Sequence, residues 1–142
     1  MQKIMVATDG SDGADRAVDF AAQLALGLGV ELLILTVAGE LPAEDMRRFA
    51  RAEGDIGSAL DSAAEQVVAA AAARATGVGA VRVRHSFVWG DPAAAIIAEA
   101  DREGIDLIVV GRRGRGRLAG LLLGSVSQKL TSLASCPVLV VP

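Results

Sequence analysis

Apolar runs of strand length alternate with helical segments along this chain, and that alternation restricts the fold more than any other feature. Lys3 to Thr8 is nearly continuously apolar, as a strand buried on both faces must be. Val30 to Val37 (VELLILTV), Asp106 to Val110 and Val138 to Val141 read the same way. Ala80 to Val88 differs: Val81, Val83, His85 and Phe87 alternate with Arg82, Arg84 and Ser86, which predicts a strand at a sheet edge. Between these runs, Ser11 is an N-cap for a helix to about Leu28, with Ala17, Phe20, Ala21, Leu24 and Leu28 on its inward face and Gly27 and Gly29 at its end. Ser58 to Ala75 predicts a second helix, with Asp61 three residues after Ser58 as a loose capping box. Asp91 followed by Pro92 starts a third, and Ser125 to Ala134 is a fourth. Leu41 to Gly57 is charged, broken by Gly54 and Gly57, and expected to be partly helical. Such a chain forms an α/β fold, a three-layer α/β/α sandwich on a parallel sheet. Periodicity leaves the strand order open.

The segment Gly111 to Ser127, GRRGRGRLAGLLLGSVS, follows the fourth strand and runs into the last helix. Its glycines at 111, 114 and 124, arginines at 112, 113, 115 and 117, and serines at 125 and 127 point to a phosphate site. Glycine lets main-chain N–H groups approach an anion, and a helix N-terminus favours negative charge. Hydroxyls and guanidinium groups add charge-assisted bonds. Gly111-x4-Gly116 imitates half of a Walker A loop, but Arg117 and Leu118 stand where Lys and Ser/Thr are required. Gly114-x-Gly116-x-x-Ala119 matches a loose dinucleotide fingerprint, yet no acidic residue follows at the end of a next strand to hold a ribose.

A third pattern has no such misfit: Gly111-x2-Gly114-x9-Gly124-Ser125. With the opening KIMVATDGS (Lys3 to Ser11) and the close SCPVLVV (Ser135 to Val141), it resembles the ATP-binding branch of the universal stress protein family over essentially the whole chain. The resemblance implies a five-stranded parallel sheet of order 3-2-1-4-5, a Rossmann-like fold of the adenine nucleotide alpha hydrolase-like kind. That order puts the switch point between the first and fourth strands, where open α/β sheets bind ligands. It also implies that main chain at Ala7, Thr8 and Asp9, and at Val37 after the second strand, holds the adenine edge. Gly111, Gly114, Gly124, Ser125, Val126 and Ser127 would then hold the phosphates of ATP, with Arg112 adding charge where the family has a small polar residue.

Composition bounds the alternatives. At 142 residues the chain is expected to be one domain, 1–142. It is 52% hydrophobic but only 3% aromatic, so its core must be built from Val, Ile, Leu and Ala. A net charge of −3 argues against general nucleic-acid binding, which needs a basic face. A single cysteine, Cys136, suits a reducing compartment. No apolar run reaches membrane-spanning length and no leader pattern opens the chain, so the expectation is a cytoplasmic protein.

Several residues have two readings. Asp9 is either a contact to the nucleotide or, through water, to magnesium, or else it closes an Asx-turn in DGSDG. Ser125 is a helix N-cap whether or not phosphate is present, and Ser127 is either a phosphate contact or a solvent-facing helix residue. Of the four arginines, one or two are expected to touch the ligand. His85 reads as structural, Cys136 as a packed thiol, and Trp89 as a pocket rim or a loop contact. No catalytic set or metal-ligand cluster emerges, which favours a nucleotide-binding regulatory protein responding to stress over a slow ATPase; cyclic AMP is an alternative ligand. The last strand would lie at a sheet edge in the implied order, and the resemblance implies a homodimer through it.

Overall fold

The computed structural model of the protein describes residues 1–39, 56–80, 82–113 and 123–142. Gly114, Arg115, Arg117 and most of the 41–57 connection lie outside them. Five strands and four helices alternate: β1 (Lys3–Ala7), α1 (Asp12–Leu28), β2 (Glu31–Ala38), α2 (Ile56–Val78), β3 (Val83–Trp89), α3 (Pro92–Glu103), β4 (Leu107–Gly111), α4 (Ser125–Leu133) and β5 (Val138–Val141). Every pairing is parallel and the order is β3-β2-β1-β4-β5, so the sheet is that of the implied Rossmann-like fold.

The pleat divides the strand side chains between two cores. Ile4, Val6, Leu32, Ile34 and Val109 meet α1 and α2 on one face. Met5, Leu33, Leu35, Ile108 and Val110 meet α3 and α4 on the other. Small residues permit close helix–sheet approach: α1 buries Ala14, Ala17, Val18, Ala21, Ala22 and Ala25. Phe20 and Leu28, expected on that face, are 42% and 53% exposed. The alanine stripe already fills the width of helix that touches the sheet, and a phenyl ring would hold α1 off it.

Caps set the element boundaries. Ser11 Oγ accepts the Ala14 N–H at 3.2 Å, and Gly29 ends α1 in the left-handed region. Asp91 Oδ2 accepts from Ala94 N–H at 3.1 Å, with Pro92 opening α3. α2 begins before Ser58, at Ile56, and the Asp61 carboxylate accepts the Trp89 indole N–H at 2.9 Å, joining α2 to the end of β3. Ion pairs of Arg84 with Glu31 and Glu103 tie the amino ends of β2 and β3 to α3.

Candidate functional site

From β1 the chain passes to the face covered by α1, and from β4 to the face covered by α4. The chain thus leaves these adjacent strands toward opposite faces of the sheet, the arrangement that in open α/β sheets forms a ligand crevice at the carboxyl ends of the strands.

Two threonines shape its floor. Thr8 is buried; its N–H donates to Leu35 O at 2.9 Å, and its Oγ1 accepts from the Gly10 N–H at 3.1 Å. The Thr8 carbonyl accepts the hydroxyl of Thr36, a second buried threonine. Ala7 pairs with Leu35, the last rung of the β1–β2 ladder, whereas β2 continues beside β3 as far as Ala38. Leu35 turns its carbonyl toward β1, so Val37, two residues on, directs its N–H and C=O to the same side, above the end of β1. Among the described residues neither group meets a partner. Val37 is buried and its side chain packs in the core on the α3 and α4 face of the sheet, which leaves its main chain as the part directed toward the end of β1.

Asp9 adopts the turn geometry: its Oδ1 accepts the Ser11 N–H at 2.9 Å. The carboxylate thus anchors the start of α1 at the mouth of the crevice. Among the described residues no group of three or more His, Cys, Asp or Glu converges to hold a metal.

The opposite wall is the segment around β4 and α4. Gly124, not Ser125, is the N-cap of α4, and Ser125 is its first helical residue. A glycine cap offers no side-chain acceptor, and none bonds there. Among the described residues no acceptor meets the N–H groups of Ser125, Val126 and Ser127, the orphan donors of a first helical turn. Ser127 is buried rather than solvent-facing; its hydroxyl lies 2.9 Å from Arg112 O and 3.0 Å from Gly124 O, donating inward. Arg112 is fixed by its main chain, with N–H to Val141 O at 2.7 Å and its carbonyl accepting from Gly124 N–H at 2.8 Å. A Cβ on Gly111 would sit 2.9 Å from the Gly13 carbonyl oxygen, so this glycine admits the first turn of α1. The site therefore combines an uncapped helix start, a main-chain donor–acceptor pair at Val37, and a carboxylate at Asp9.

The sequence model of the universal stress protein family matches residues 1–142. The chain belongs to that family. The universal stress protein YxiE of Bacillus subtilis is 34% identical over 157 residues, spanning 98% of this chain and 97% of its own length. The structure of a universal stress protein in complex with cAMP is 32% identical, with a TM-score of 0.75 over 99% of this chain and 95% of that one. A universal stress protein from Lactobacillus plantarum, 22% identical, shares the fold at a TM-score of 0.81 over 99% of this chain and 97% of its own.

In this universal stress protein the remaining sequence candidates fall outside the crevice contacts. The Trp89 indole is committed to Asp61, and His85 Nε2 stands 3.5 Å from Glu65 Oε1 on the edge strand. Cys136 is half-buried before β5; burial, then the nearby Asp101 and Asp106 carboxylates, raise its thiol pKa. Raising it removes thiolate, the reactive form. Thr36 was not singled out from sequence. Its signal was a lone hydroxyl within the apolar run ELLILTVA.

Proposed function

We propose that this chain is an adenine-nucleotide-binding regulatory protein of the stress response, acting as one domain, 1–142, in the cytoplasm. The observation that carries the reading is the start of α4, where Ser125, Val126 and Ser127 offer main-chain N–H groups without a protein acceptor among the described residues. Such a terminus, with its aligned peptide dipoles, is a phosphate site. Arg112 adds a cation beside it. In this reading the adenine edge lies against main chain at Ala7 to Asp9 and Val37, and the glycine spacing assigns Gly114, outside the described residues, to the phosphates. ATP, with magnesium at Asp9, matches this set. Binding rather than turnover is the favoured role, because among the described residues none is evident to orient an attacking water.

Replacing Gly124 by Val tests the phosphate contacts. A Cβ there already lies 3.4 Å from Arg112 O and 3.5 Å from Arg113 Cα, so two further methyl groups must displace the segment. ATP affinity is expected to fall about tenfold or more, roughly 1.4 kcal/mol, in a folded variant. An unchanged calorimetric titration would remove the phosphate assignment. The likeness to the cAMP-bound protein favours a second reading, a cyclic AMP site. Competition between ATP and cyclic AMP separates the two, and single-turnover assays with and without magnesium report any slow hydrolysis.

A further inference from the structure

The β1–β2 ladder ends with β1 itself, at Ala7 opposite Leu35, while β2 runs on beside β3 to Ala38. In a regular parallel ladder the Val37 N–H would donate to the Thr8 carbonyl, and the Val37 carbonyl would accept from Gly10 N–H. Both of those groups are taken by threonine hydroxyls. Thr36 Oγ1 donates to Thr8 O, and Thr8 Oγ1 accepts from Gly10 N–H at 3.1 Å. Gly10 sits at φ 79°, so the chain has already turned away from β2. Thr36 is 3% exposed and its hydroxyl points at main chain, where burial without a partner would be costly.

We propose that Thr36 is a positioning residue that selects adenine. By occupying the Thr8 carbonyl it keeps the Val37 N–H and C=O as an adjacent donor and acceptor facing the crevice. This rests on the adenine-nucleotide reading and assigns base selectivity within it. Adenine presents an acceptor at N1 beside a donor at its 6-amino group, the complement of one residue's N–H and C=O. Guanine presents the reverse, a donor at N1 and an acceptor at O6. A site built from main chain with this polarity leaves groups unpaired against guanine and rejects it.

Thr36→Val conserves shape and removes the donor. The Thr8 carbonyl then takes the Val37 N–H, the ladder gains a rung, and the donor facing the crevice is lost. Thr36→Ser keeps the hydroxyl. Calorimetric titration of the full chain with adenosine, ATP and GTP tests this. Thr36→Val is expected to weaken adenosine and ATP by the same factor, on the order of tenfold, and to lower the preference for ATP over GTP. Thr36→Ser is expected to stay within about twofold of wild type, a rescue that loss of packing alone would not give. Adenosine added to the wild-type chain should also slow hydrogen exchange of the Val37 amide, a readout that stands if Thr36→Val does not fold. Wild-type adenosine affinity in folded Thr36→Val, or no slowing at Val37, overturns the role of Thr36 alone. A wild-type chain that takes up neither adenosine nor ATP overturns the nucleotide reading itself, and this inference with it.

Discussion

Gly111 and Gly13 are in main-chain contact across the crevice: a Cβ on Gly111 would lie 2.9 Å from Gly13 O, and one on Gly13 would lie 2.8 Å from Arg113 O. Neither residue has a positive φ, so closeness and not backbone freedom demands glycine here. The contact locks the first turn of α1 to the segment after β4. Gly13 belongs to no part of the glycine spacing, yet it sets where Arg112 and Arg113 can lie.

Gly13→Ala is therefore expected to push Arg113 outward and weaken ATP. The loss is expected to be roughly fivefold, about 1 kcal/mol, with adenosine nearly unaffected because the contacts proposed for it are at Ala7 to Asp9 and Val37 and not at Arg113. Alanine is the better helix former, so the melting temperature need not follow the affinity. Paired titrations and melts check this; equal losses for ATP and adenosine would point to general unfolding instead.

Much of this fold was legible because its signals are local. Ser11 and Asp91 with Pro92 mark helix starts through short-range bonding that sequence displays directly. Strand order was not legible from periodicity, since any buried strand pairs equally well with two neighbours, and the family resemblance supplied it. Phe20 was misplaced because hydrophobicity is not the same as fit: alanine, not phenylalanine, lets α1 approach the sheet. The glycine spacing identified the wall around β4 and α4, but the reason for Gly111 depends on Gly13, almost a hundred residues away in sequence and visible only once folded. Thr36 was missed for the same reason, because its partner is the Thr8 carbonyl just beyond the end of another strand.

Asp9 holds its turn through Ser11 N–H, so removing the carboxylate has two separable consequences. Asp9→Ala is expected to cost about 1 kcal/mol of stability from the lost turn bond. Asp9→Asn retains an acceptor and is expected to preserve the melt. If magnesium is held here, both variants lose the magnesium-dependent part of ATP affinity while binding without magnesium stays the same. Titrations with and without the ion decide this, and equal magnesium dependence in wild type and Asp9→Asn would assign the carboxylate to the turn alone.

The Cys136 thiol gives a pH prediction of definite sign. Burial and the carboxylates of Asp101 and Asp106 raise its pKa, although a hydrogen bond from the Ile108 main chain acts in the opposite direction. Thiolate in the native protein should therefore form above the range of a free cysteine, about 8.5. Alkylation near neutral pH is expected to be slower than in the unfolded chain, and its midpoint should move to higher pH on folding. Rates measured against pH with and without denaturant test this; a midpoint below the free value would reverse the assignment.

The last prediction concerns the outer edge of β5. Its pairing with β4 uses odd residues: Pro137 O accepts from Ile108 N–H at 3.0 Å, and Val141 O accepts from Arg112 N–H at 2.7 Å. Val138 and Val140 therefore direct their N–H and C=O outward, and no described strand lies beyond them. An apolar edge of this kind invites pairing with another chain. We propose that a second copy of this protein covers it, with a two-fold axis making the new ladder antiparallel. Arg112 links that edge to the start of α4, through its N–H to Val141 O and its carbonyl to Gly124 N–H, so the dimer would also steady the proposed phosphate contacts. Val140→Pro removes one outward N–H and no bond to β4, and an edge strand tolerates proline there. Light scattering is expected to give about twice the 14.5 kDa chain mass for wild type and a shift toward the single-chain mass for Val140→Pro. Wild-type protein that remains at the single-chain mass at micromolar concentration excludes the dimer, and a dimer unmoved by Val140→Pro would place its interface on some other surface.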